Sequence, residues 1–137
     1  MSKIKCFLLI PTGKMVETES GVSRPLYVRA DNGRELTLNM APVGAMWDAD
    51  WYHDVDFLTG PDGHSYIVKT PGGEWCIDGK ATNCGLPEDN VHKCWVRHGE
   101  APDFTVDKNG HTCSAGAGSI QIGNYHGFLI DGYLVEC

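Results

Sequence analysis

The chain has 137 residues, 42% of them hydrophobic, and a formal net charge of -7. That length suits one domain with its own hydrophobic core, so cysteines are not needed to staple it. Eleven basic residues against eighteen acidic ones, with no basic patch, argue against nucleic-acid binding.

Lys3 and Lys5 precede an apolar run at 6–10. The run is too short to cross a membrane or to form a signal core, so 4–10 reads as a first buried strand and no membrane partner is expected. Further strands are predicted near 25–30 and 34–39, joined by Asn32-Gly33, a dipeptide favoured in two-residue hairpin turns. The stretch 42–57 is ambiguous. Ala45, Met46 and Ala49 permit a short helix with Trp47 and Trp51 on one face, and the alternative is an acidic loop anchored by its aromatics. Strands near 64–69 and 74–78 flank Gly72-Gly73. Segment 79–91 reads as loop, with one helical turn permitted at Pro87. Strands follow near 92–97, 103–107, 111–113, 119–122 and 127–135, with turn signals at Asn109-Gly110 and Asp131-Gly132. Seventeen glycines and seven prolines fit a chain that turns often. The expected fold is mainly β: a compact single domain over 1–137, built of short antiparallel strands and hairpins with at most one or two short helices.

Chemistry concentrates between Cys76 and Cys113, which hold four of the six cysteines. The candidate zinc set is Cys84, His92, Cys94, His98 and Cys113, because zinc takes four tetrahedral ligands from thiolate and imidazole. No C-x2-C pair occurs, so spacing alone does not choose among zinc, disulfides and unlinked thiols, the last being the plainest reading. The expected cofactor is accordingly none or zinc. Cys6 and Cys76 look like core. A nucleophilic Cys94 or Cys113 with His98 or His111 can be written down, but no family-specific motif accompanies it.

Asp48, Asp50, Asp54 and Asp56 alternate without the calcium-loop pattern, and solvated surface is their simplest role. Trp47, Asp48, Asp50, Trp51 and Tyr52 form a candidate interaction patch for a protein partner. Residues 115–123 are glycine-rich without being a phosphate loop; Gly116 and Gly118 are expected to take unusual dihedrals.

The segments GAMWDADW (44–51), IDGKATNC (77–84), HKCWVRHG (92–99) and VDKNGHTCSAGAGSIQ (106–121) resemble those of small uncharacterised proteins of tailed bacteriophages and prophages. The resemblance implies synthesis in a bacterial host cytoplasm and, for a virion part, assembly into the particle. The expected function is a non-enzymatic structural or interaction protein, such as a minor capsid-associated or tail-associated component, with protein partners or self-association. The alternative is a small zinc-binding accessory protein acting on a host factor during infection.

Overall fold

The computed structural model describes residues 3–81, 84–86, 88–89, 92–110, 112–113 and 119–137. The expectations for Pro87, His111, Gly116 and Gly118 lie outside the described residues. The strands are β1 (Lys3–Lys5), β2 (Phe7–Glu17), β3 (Ser23–Arg29), β4 (Glu35–Leu36), β5 (Ala45–Asp48), β6 (Tyr66–Thr70), β7 (Gly73–Cys76), β8 (Val96–His98), β9 (Thr105–Asp107), β10 (Ile120–Ile122), β11 (Tyr125–Ile130) and β12 (Tyr133–Glu136). They form two sheets. One runs β4-β3-β2-β5-β6-β7; the other runs β1-β12-β11-β9-β8, with β10 also on β11. All pairings are antiparallel except β2 with β5. The mainly β expectation is met, and the described helical pieces are short 3-10 turns.

Residues 4–10, expected as one strand, belong to two sheets. β1 pairs with β12, and the chain crosses at Cys6, whose N–H bonds to the Gly132 carbonyl; Phe7 then bonds to Gly44. β5 explains why 42–57 was hard to read. Ala45, Met46 and Trp47 are all buried, so no polar position marks a strand period. Successive side chains point to opposite faces. Met46 joins a core between the sheets with Val68, Trp75, Phe104, Leu129 and Leu134, while Ala45 and Trp47 join a second core with Phe7, Leu9, Tyr27 and Ile67. The helix option is therefore corrected to a strand followed by 3-10 turns at Asp50–Tyr52 and Asp56–Leu58. Trp47 and Trp51 do not share a face: Trp47 is 1% exposed and Trp51 51%.

Asp131-Gly132 makes the expected tight turn between β11 and β12, with positive φ at both residues (49° and 78°). That is the twist a two-residue hairpin favours. Asn32-Gly33 lies between the paired β3 and β4, but in a longer loop than the expected two-residue turn: Arg29 and Arg34 bond across it, and of the two residues only Gly33 has positive φ. Among the described residues, Asn109-Gly110 closes no hairpin. β9 pairs with β8 and β11, and Thr112 instead bonds through its N–H to the Lys93 carbonyl. The expected strand at 92–97 shrinks to β8, which leaves His92 to Trp95 irregular and free to bend toward Cys113.

Candidate metal centre

A third, small cluster lies apart from the two cores. It holds Ala81, Cys94 and Cys113, packed with Cys84 and Trp95. Three chain segments meet there. The segment after Ala81 presents Cys84, whose N–H bonds to the Ala81 carbonyl. The irregular run before β8 presents His92 and Cys94. The segment after β9 presents Cys113. Lys93 and Thr112 bind these last two segments together, with the Lys93 N–H donating to Thr112 Oγ1 at 2.8 Å. The Lys108 ammonium donates to the carbonyls of both Cys94 and Cys113. Lys80 similarly donates to the carbonyls of Leu86 and Asp89 and draws in the loop that carries Cys84.

Cys84 Sγ lies 3.2 Å from His92 Nε2 and 3.9 Å from Cys113 Sγ, and Cys94 Sγ lies 3.6 Å from His92 Nε2. All four donor atoms fall within 4.8 Å of one another. A zinc tetrahedron with metal–sulfur bonds of about 2.3 Å and metal–nitrogen bonds of about 2.05 Å has edges of about 3.8 Å between sulfurs and about 3.5 Å between sulfur and nitrogen. The observed separations fit those edges. A disulfide needs sulfurs about 2.05 Å apart, and none joins any of the six cysteines.

The surroundings also suit a cation. The Leu86 N–H donates to Cys84 Sγ at 3.3 Å and fixes the sulfur facing His92. His92 Nδ1 is buried without a hydrogen bond and sits 3.8 Å from Asp89 Oδ1, a carboxylate placed to draw closer and accept the Nδ1–H when Nε2 binds a metal. Burial, with the neighbouring Cys113 and Cys84 thiols, pushes the Cys94 thiol up to about 11. A cation among the sulfurs reverses that balance.

His98 stands outside this set. It lies on β8 with Nε2 2.8 Å from Asp107 Oδ1. The strand turns it away because Val96–His98 pairs with β9, whereas His92 and Cys94 precede that pairing. Cys6 is core, Cys76 is half-buried, and Cys137 is exposed.

The interaction patch divides. Trp47 is core, while Asp50, Trp51 and Tyr52 occupy the 3-10 turn, with the Trp51 and Tyr52 rings 5.9 Å apart. Asp48 meets two histidines that the sequence did not group with it, His53 at 2.8 Å and His64 at 2.7 Å. The clue was thin: His64 is distant in sequence, and only the β5–β6 pairing brings it near. Arg97 was also missed. Its buried guanidinium bonds to Asp78 at 2.9 Å and to Asp62, and stands over the Tyr66 and Phe104 rings. A cavity of about 230 Å³ separates this pair from the cysteine cluster, lined by Asp78, Arg97, Phe57, Trp95, His92 and Cys94.

No protein-family model, curated protein or solved structure matches the chain. Its own geometry therefore carries the functional reading. Cys84, His92, Cys94 and Cys113 form a Cys3His cluster with the donor set and spacing to take a metal ion such as zinc.

Proposed function

We propose that this is a small zinc-binding, non-enzymatic protein whose metal holds its irregular half in shape for a protein partner. The observation that carries the reading is the gathering of four zinc-type donors, drawn from three segments, within 4.8 Å. Four protein ligands complete a tetrahedron and leave no open position for a reacting water, which is the arrangement of structural rather than catalytic zinc. The described residues of segments 79–95 and 108–113 lie in no strand or helix, so the metal would supply there the order that strands supply elsewhere. Trp51, half exposed on its 3-10 turn beside Tyr52, offers an aromatic anchor of the kind that dominates protein interfaces. The resemblance to phage proteins supports a setting in which that partner is a bacterial host factor met during infection.

The test is elemental analysis of protein purified without added metal, paired with melting before and after chelation. One zinc per chain and a lower melting temperature after chelation are expected. Less than about a tenth of an equivalent of any metal, after purification and after zinc addition alike, overturns the reading.

A further inference from the structure

Asp48, His53 and His64 lie on the other side of the Arg97 network and play no part in the Cys3His cluster. Their donor atoms also fall within 4.8 Å of one another. We infer that they form a second, open site for a divalent first-row transition ion.

Three separate elements build it. Asp48 ends β5, His53 caps the 3-10 turn Asp50–Tyr52, and His64 precedes β6. The Ser65 N–H holds Asp48 Oδ1 at 2.8 Å, which fixes the carboxylate between the two rings. His64 is steadied on two sides: its N–H donates to Asp62 Oδ1 at 3.1 Å, and its ring lies against Tyr66 at 5.5 Å. Asp62 is itself gripped by Arg97, so the turn bearing His64 is tied to buried structure.

The donors are one carboxylate and two imidazoles, a set that suits zinc, iron, nickel or copper rather than calcium or magnesium. Three protein ligands leave positions for water or an exogenous ligand, as in open zinc sites. Exposure agrees, since the His53 and His64 side chains are 36% and 47% exposed. Asp50 and Asp54 add negative potential at His53 and favour a dication there. The carboxylate now bonds each ring at 2.7 to 2.8 Å. Metal bonds of about 2.0–2.2 Å set such donors about 3.0–3.4 Å apart, so the rings need to part by about half an ångström. Exposed histidine side chains can make that shift. The ion takes the place of the hydrogen bonds between carboxylate and rings, and each neutral ring then carries its proton on the nitrogen away from the ion.

Zinc titration of the full chain, with the Cys3His cluster already loaded, tests the site. Calorimetry is expected to show an additional, exchangeable equivalent, and the side-chain nitrogen signals of His53 and His64 should shift in proportion to it. The double change His53→Gln, His64→Gln should remove that equivalent, and Asp48→Asn should weaken it by more than about tenfold. Unmoved ring signals in the unaltered protein, or an undiminished equivalent in the double variant, would show a hydrogen-bonded trio only and overturn the inference. Cobalt separates the two sites: only the cysteine cluster gives a thiolate-to-cobalt absorption band. A missing band with responsive histidines sinks the structural-zinc reading alone; the opposite result sinks this one alone.

Discussion

The two donor clusters sit on either side of one buried arginine and handle their charge in opposite ways. At Cys84, His92, Cys94 and Cys113 the donors are buried or nearly so, and sulfur crowds sulfur at 3.9 Å. Burial raises the Cys94 thiol, and His92 keeps a buried Nδ1 without a hydrogen bond. At Asp48, His53 and His64 the groups satisfy one another. The hydrogen bond to the Asp48 carboxylate raises the His53 imidazole; partial burial works against the Asp48 charge, but bonds from His53, Ser65 and His64 outweigh it and the carboxyl falls. The first cluster keeps a buried His92 Nδ1 without a hydrogen bond among crowded thiols, whereas the second satisfies its donors with one another. Burial makes that difference: a desolvated donor without a partner is expensive, and an exposed one is not.

The largest effect expected from this contrast comes from removing metal. Structural zinc contributes about 10–16 kcal/mol in zinc-finger peptides that have no other core. Here two hydrophobic cores stand without it, so the loss should be partial: a melting temperature lower by more than about 10 °C after chelation. Cys113→Ser should reproduce the loss and make chelator ineffective. His98→Ala should leave zinc stoichiometry unchanged, and a fall would return His98 to the ligand set.

Arg97 comes next, because it braces both regions. It ties the turn of His64 through Asp62 and the wall beside the cysteine cluster through Asp78. Burial opposes its charge, but Asp62 and Asp78 together raise its pKa further. Asp62 is held well below the carboxylate range by the Arg97 hydrogen bond, while burial raises Asp78 against the pull of the same guanidinium. Arg97→Ala would leave the Asp78 carboxylate, 7% exposed, without its cation. Breaking such a buried pair costs about 3–5 kcal/mol, measurable by urea denaturation. A loss below about 1 kcal/mol would show that the two regions do not lean on it.

Thiol chemistry gives a smaller and more selective reading. Cys137 is exposed and should react first with an alkylating reagent, whereas burial pushes Cys6 up to about 12 and should protect it. In zinc-loaded protein Cys84, Cys94 and Cys113 should be protected, and chelation should release all three together. Peptide mapping that found them reactive in both states would contradict coordination.

These regions also differ in how far the sequence disclosed them. Turn chemistry is local, so the Asp131-Gly132 turn was legible outright, and the β3–β4 hairpin at Asn32-Gly33 was legible in place but not in loop length. Four of the five candidate zinc residues converge, because their residue types alone narrow the choice. His98 was misplaced because His92-x-Cys94 and Cys94-x3-His98 look equivalent until the chain is seen to become a strand at Val96. β5 was obscure because both its faces are buried and its period vanishes. The trio of Asp48, His53 and His64, like the Arg97 clasp, depends on long-range pairing. A buried Arg–Asp contact between β8 and distant turns leaves no local pattern.

The smallest effect concerns the histidine left outside the metal set. Burial works against the Asp107 charge, but hydrogen bonds from the Asn109 N–H and the His98 ring outweigh it, and the carboxyl lies below its ordinary value. Asp31 is lowered likewise, first by the Arg29 hydrogen bond. A carboxyl lowered in the folded state adds stability above its unfolded value, about pH 3.9, and that stability is lost as pH falls through the folded value. Replacing both by Asn should therefore lower the melting temperature slightly at pH 5, and the gap from the unaltered protein should narrow as the pH falls below about 3.9. Both side chains are partly exposed, so solvent screening keeps the gap small. A gap that widened toward acid would show that His98 does not hold Asp107 in its charged form.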